Sequence, residues 1–332
     1  MPRQCLHCLR LVAVRGTVDF SVVNRASNQD AHALVGGVGR IADWGLLFRA
    51  GNCISGFVGV FLGAVLALGE FPSDDNLLIT TLLALSVYSF MASWNALNDY
   101  LDLEIDRVNR PDRPLPSGRI SKRTALISII LTGLISFISL FFAAVTANSI
   151  GEFDEWKYTI LIWIMALALL LNYEDDRWLL GLKNRGLPGN MAISLSVGLV
   201  VLYGAAGVFE PLNPRALSLF FVGTLYNFAR EIIKDVEDME GDEGRNTYAM
   251  RVGADKARTV AWAVLLLTLI ALLTPFAMGV FNQLHLLLVA PALFTLLQVK
   301  KHIVLTEDTA ASRLIKRSMV LAMVGILTAS LL

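Results

Sequence analysis

The sequence predicts an all-α integral membrane protein built as a bundle of about nine transmembrane helices. Three observations predict it. Of 332 residues, 55% are hydrophobic and 17% charged, against about 25% charged in an ordinary soluble domain, and the mean hydropathy is +0.60. The charges are missing from a series of windows near the length that spans a bilayer core, about 20 helical residues for ~30 Å. Those windows are rich in Leu and Ala and lack period-two alternation, so they read as helices, which satisfy their own backbone hydrogen bonds in lipid.

The first span covers 50–69, the second 76–98, the third 124–147, the fourth 158–173 and the fifth 190–209. A sixth begins at Ala216 and meets its first charge at Arg230. Residues 259–299 carry no charge and are long enough for two spans, divided by a turn at Pro275, Gly279, Asn282 and Gln283. The ninth, 318–332, is short but is extended by Arg313, Lys316 and Arg317, whose aliphatic stems reach back to water. Residues 1–44 are expected to be a poorly ordered cytoplasmic tail, and 45–332 the transmembrane domain. The first sixteen residues lack the apolar core of a signal peptide. Cys5 and Cys8 have half of a zinc-site spacing, with only His7 and His32 nearby and no second cysteine pair. Three cysteines in all exclude a disulfide scaffold.

The net charge is zero, 28 bases against 28 acids, which gives no basic excess for binding nucleic acid. The bases are nevertheless segregated. Every Lys and Arg except Lys157 and Arg215 falls on one side of the predicted spans. The positive-inside rule then places the N-terminus and that side in the cytoplasm and the C-terminus outside, in a multi-pass protein of the cell membrane.

Two acidic motifs stand at span ends on the predicted cytoplasmic side. After the second span come Asp99, Asp102 and Asp106; after the sixth come Asp235, Asp238 and Asp242. Both sets have i, i+3, i+7 spacing, which on a continuous helix stacks three carboxylates on one face. Like charges this close repel unless a cation is present, and oxygen-only ligands suit Mg²⁺, which takes a few carboxylates together with substrate phosphates. Arg107, Arg230 and Lys234 lie among them and can neutralise phosphate oxygens. The pattern points to a diphosphate held beside Mg²⁺ at the end of a membrane bundle, and so to a prenyl diphosphate donor. A bound metal would help the diphosphate leave, aromatic faces would stabilise the allylic cation, and water would be kept out. A cation transporter or channel would instead carry charges near the middle of its spans, where this sequence has almost none.

Asn98-Asp99-x-x-Asp102-x-x-x-Asp106, followed by Arg107-Val-Asn109-Arg110-Pro111-Asp112-Arg113-Pro114-Leu-Pro116-Ser117-Gly118, resembles the first motif of the UbiA superfamily of membrane prenyltransferases. The second acidic triplet resembles that superfamily's second Asp-rich motif, and residues 45 to 332 carry the likeness. Within the superfamily, the stretch from Arg230 to Asp242 is most similar to archaeal digeranylgeranylglyceryl phosphate synthases. The resemblance implies a UbiA-like fold and Mg²⁺-dependent transfer of a geranylgeranyl group from its diphosphate to the free hydroxyl of geranylgeranylglyceryl phosphate, a lipid-like phosphate acceptor. A UbiA-type enzyme acting on an aromatic acceptor of a quinone, tocopherol, haem or chlorophyll pathway remains the alternative.

The expected catalytic residues are Asp99, Asp102, Asp235 and Lys234, and the six aspartates are the expected metal ligands. Asn52, Asn98, Arg107, Arg113, Lys183, Asn190, Tyr226 and Arg230 are the expected substrate contacts. Asn190 equally suits a helix cap, and Tyr226 equally suits helix packing. Several features depart from the family pattern, among them the loop after Asp242, where Gly244 and Thr247 follow about two residues early. Ala50 follows Arg49 where a proline is usual, and Asn172-Tyr-Glu-Asp-Asp-Arg-Trp178 is unusually acidic.

Overall fold

A computed structural model describes residues 40–174, 179–239 and 246–332. The Cys5/Cys8 spacing, the tail to residue 39, and Asp242 lie outside the described residues. Among those described there are no strands, and nine helices are long and apolar enough to cross a membrane. In chain order the helices are α1 (Ile41–Leu47), α2 (Ala50–Leu68), α3 (Asp74–Leu101), α4 (Leu103–Asn109), α5 (Lys122–Ser149) and α6 (Phe153–Glu174). There follow α7 (Leu187–Gly207), α8 (Pro214–Glu237), α9 (Tyr248–Val252), α10 (Ala254–Ala277), α11 (Leu286–Val304) and α12 (Asp308–Leu331). The short α1 precedes the first span, and the short α4 and α9 lie between spans. Residues 41–44, assigned to the tail from sequence, form the first turn of α1.

The helix ends follow their local chemistry. Ser121 caps α5 by accepting from the Thr124 N–H at 3.1 Å. Asn213 caps α8, with Pro214 at the first helical position, where its missing N–H costs nothing. The long uncharged window divides as expected: Pro275 sits in the last turn of α10, Gly279 has a φ of +75°, and α11 follows a 3₁₀ turn.

The α7 and α8 helices are the centre of the bundle. The first packs on α2, α6 and α8; the second packs also on α10 and α12. At the α2–α7 crossing the backbones nearly touch, because a Cβ on Gly63 would overlap the Val201 carbonyl and one on Gly204 the Val60 carbonyl. Small residues allow such approach in lipid, where van der Waals contact rather than hydrophobic burial joins helices. Hydroxyl pairs join others: Ser86 with Ser136 at 3.1 Å between α3 and α5, and Tyr226 with Ser318 at 2.7 Å between α8 and α12. Outward faces are apolar and exposed, as at Phe137, Phe141 and Phe142, which is what a lipid solvent requires. The α6 helix is the least buried of the spans.

A second, smaller core lies at one end of the bundle. Leu47 of α1 packs with Ala96, Leu103, Leu115 and Ile120, flanked by Trp44 and Tyr100. It anchors the loop that follows the first acidic motif against α1 and α3.

Candidate active site

One end of the bundle gathers the start of α2, the end of α3, all of α4, the end of α6, the start of α7 and the end of α8. Alternating helix directions bring these ends together, and their polar residues meet there.

The first motif is not one continuous helical face. The α3 helix stops at Leu101, Asp102 caps it with its N–H on the Asn98 carbonyl at 2.9 Å, and α4 restarts at Leu103. The three carboxylates therefore divide. Asp99 and Asp106 are both buried and share the Arg113 guanidinium, at 3.0 and 2.6 Å. Asp102 turns the other way, to the Lys183 ammonium at 2.7 Å. Burying a carboxylate costs several kcal/mol unless it is paired; Asp99 is paired twice, the second time with Arg49 at 3.0 Å.

Arg49 joins these residues although it is not among the candidates expected from the sequence. It links α1 to α2 in the left-handed conformation, with φ 51° and ψ 55°, a geometry that costs a non-glycine residue about 1–2 kcal/mol. The joint is held by Asn95, whose Nδ2 donates to the Phe48 carbonyl at 2.9 Å. So placed, Arg49 donates to Asp99 and to Asn98 Oδ1, the latter at 3.1 Å. The signal available in the sequence was a lone base at the head of the first span.

Asn98 continues the chain of contacts. Its Nδ2 donates to both Glu174 oxygens at 3.2 Å, and Glu174 also receives Lys183 at 2.8 Å. The acidic stretch that departs from the family pattern thus delivers a side chain into the site. Asp175 and Asp176, in the same stretch, lie outside the described residues.

In the second motif Asp235 accepts from Asn190 Nδ2 at 2.9 Å. This joins the start of α7 to the end of α8, so Asn190 acts through its side chain as well as standing at a helix start. Asp238 lies 4.0 Å from Arg110, which follows α4; that long contact reaches from one motif to the other. Lys234 and Arg230 both turn to Glu231, at 2.9 and 3.4 Å. The Nε of Arg230 is buried and makes no hydrogen bond among the described residues.

Three expected substrate contacts are placed otherwise. Tyr226 is fully buried with its hydroxyl on Ser318, so it packs α8 against α12 and presents no surface to a substrate. Arg107 forms an exposed i, i+3 pair with Glu104 at 2.8 Å. Asn52 is exposed one turn beyond Arg49, and the polar contact with the first motif is made by Arg49 instead.

One hollow is lined by these groups, and a second lies farther along α2 and α3. A cavity of about 540 Å³ is lined by Arg49, Asp99, Arg110, Asp112 and Arg113, with Leu46 and Pro114 at its edge. A wholly apolar cleft of about 280 Å³ lies between α2 and α3, lined by Ile54, Phe57, Leu85 and Tyr88. A half-buried aromatic group stands one turn or more below Asn98: Phe90 contacts Trp94 at 5.9 Å and Trp163 of α6 at 5.8 Å between ring centres.

The site is closed on one side by α1. Asp43 accepts from the Arg40 N–H at 3.0 Å and from Arg119 Nε at 2.7 Å, while Arg119 also donates to the Asp112 carbonyl at 2.8 Å. The Arg40 backbone N–H, and then the Arg119 guanidinium, hold the Asp43 carboxyl below the usual carboxylate range.

Among the described residues no three acidic, His or Cys side chains converge on one point. The donors are still all oxygen, and each motif offers carboxylates singly or in pairs. Mg²⁺ asks for no more, because it completes its shell with water and substrate phosphate. The unpartnered Arg230 Nε is a donor suited to such a phosphate.

Residues 56–324 match the UbiA prenyltransferase family. Among similar proteins, the digeranylgeranylglyceryl phosphate synthase of Haloquadratum walsbyi is 35% identical over 74% of this chain and 80% of its own length. That of Thermococcus gammatolerans is 38% identical over 70% and 77%, and that of Methanosarcina mazei 32% identical over 84% and 95%. A solved structure from work on digeranylgeranylglyceryl phosphate synthase in membranes matches with a TM-score of 0.67 at 25% identity, covering 88% of this chain and 98% of that one. A UbiA homolog from Archaeoglobus fulgidus bound to GPP and Mg²⁺ shares the fold, with a TM-score of 0.53 at 17% identity over 85% and 99% of the two chains.

Proposed function

Because the chain belongs to the UbiA prenyltransferase family, we propose that it transfers a geranylgeranyl group from geranylgeranyl diphosphate to the free hydroxyl of geranylgeranylglyceryl phosphate. The observation that carries this reading is the convergence, at one end of a membrane bundle, of two carboxylate motifs with Arg49, Arg113, Lys183 and Arg230. Relatives 32–38% identical bear the name of that synthase.

The donor's diphosphate lies among these bases, with its tail in the apolar cleft between α2 and α3. Asp99, Asp102, Asp106, Asp235 and Asp238 are the residues that would hold Mg²⁺, with Asp242 completing the second motif. When bound, Mg²⁺ supplies Lewis-acid stabilisation of the leaving diphosphate. The chain itself does the remaining work. Arg49, Arg113 and Arg230 neutralise phosphate oxygens, and Asn190 fixes the orientation of Asp235. The Phe90, Trp94 and Trp163 rings exclude water and present π faces to the developing allylic cation. The bond from the allylic carbon to the diphosphate breaks, its electron pair leaving with the diphosphate. The acceptor oxygen bonds to that carbon, and the hydroxyl proton passes to a site carboxylate. Orientation with this end of the bundle in the cytoplasm follows from the side that holds the bases.

The test is an assay with labelled geranylgeranyl diphosphate and a panel of acceptors, with and without Mg²⁺. Mg²⁺-dependent transfer to geranylgeranylglyceryl phosphate is the expected result. Transfer to an aromatic acceptor instead would overturn the acceptor assignment.

A further inference from the structure

The bases of the site are not distributed evenly over its acids. Lys183 lies between two carboxylates, 2.7 Å from Asp102 and 2.8 Å from Glu174, and its side chain is only 16% exposed. Glu174, with a side chain 9% exposed, comes from the end of α6; Lys183 comes from the 3₁₀ turn before α7; Asp102 comes from the break in α3. Among the described residues, these ion pairs set one positive charge against two negative ones in a poorly hydrated place, where charge interactions are strong.

We infer that Glu174 is a positioning residue that shares the Lys183 ammonium with Asp102 and so leaves Asp102 with negative charge to offer a divalent cation. This rests on the reading of Asp102 as a metal-holding residue. The three side chains together carry one net negative charge. Without the Glu174 charge, Lys183 would neutralise Asp102 completely and compete with a metal for it. Glu174 also fixes the Asn98 amide: both its oxygens accept from Nδ2, which leaves Oδ1 to receive Arg49. A Gln at 174 keeps an acceptor oxygen for that contact, so Glu174→Gln changes the charge with little change of shape.

The charge argument gives a pattern of signs that packing does not. Mn²⁺ affinity of the detergent-solubilised full chain, followed by the free-Mn²⁺ paramagnetic resonance signal, is expected to fall about tenfold in Glu174→Gln. It is expected to rise in Lys183→Gln, and to return near the unsubstituted value in the double variant, where the net charge of the three side chains is again one negative. Glu174→Asp, which keeps the charge, is expected to recover most of the affinity. The Mg²⁺ concentration for half-maximal transfer should shift in the same order for Glu174→Gln and Glu174→Asp. Unchanged Mn²⁺ affinity in Glu174→Gln, or a fall in both single variants, would overturn the inference while leaving the metal reading intact. Transfer by the unsubstituted chain that needs no divalent cation would overturn the metal reading itself, and this inference with it.

Discussion

Asp99 is the residue on which the site's contacts concentrate, being buried and paired with both Arg49 and Arg113. Asp99→Asn removes its charge while keeping its size. We expect transfer to fall by about a hundredfold or more, the scale seen when a preorganised electrostatic group is lost, with the chain still inserted and monodisperse on size exclusion. Product formation from labelled donor checks the first outcome and the elution profile the second. At this scale the sequence was informative where chemistry repeats locally. The spacing of Asp99, Asp102 and Asp106 marks a candidate site, although it does not reveal that a helix break sends Asp102 to a different base. Contacts between distant segments leave no such trace. Glu174 meets Asn98 across 76 positions, and only the odd acidity of its neighbourhood marked it. Tyr226 failed for a related reason: period and hydropathy do not distinguish a pocket-facing tyrosine from one whose hydroxyl is satisfied by a serine on another helix.

Among elements, the spans were legible because lipid enforces a simple rule of length and polarity. Their neighbours were not, since α7 and α2 are joined by backbone approach rather than by any pattern of charges. Gly204→Val would drive a side chain into the Val60 carbonyl. A destabilisation of about 1–3 kcal/mol is expected from such overpacking, read as a lower temperature for loss of monodispersity. The short α1 was absorbed into the expected tail up to residue 44, because seven residues give too little periodicity to show. Its latch has a pH dependence of known sign. Asp43 has a folded-state pKa below its ordinary value, so its contribution is present above that ordinary value and is lost as pH falls through the depressed one. Hydrogen-exchange protection of residues 41–47 is expected to be similar at about pH 6 and about pH 5, and to drop below about pH 3. Asp43→Asn is expected to show the reduced protection at both higher values.

For the whole molecule, segregation of the bases is the feature that the sequence carried most plainly, since it needs no contact to be read. It predicts a fusion experiment. A reporter that is active only in the cytoplasm should be silent when joined after Leu332 and active when joined within the loop before α5. The zero net charge is thus the sum of a base-rich end and an opposite end where seven acids face two bases, joined by spans with almost no charge.

The α6 helix has a consequence at this same scale. It is the span with the least protein around it, so lipid supplies most of its lateral support, and yet it ends at Glu174. Its 22 residues can meet a change in local hydrocarbon thickness by tilting, and tilt moves the ends of a helix more than its middle. Acyl-chain length is then expected to act on the ammonium shared by Glu174 and Asp102, read as a shift in the Mg²⁺ concentration for half-maximal transfer between vesicles of short and long acyl chains. On that outcome membrane thickness is an effector without a binding site, exerted by the very material to which a lipid-synthesising enzyme contributes.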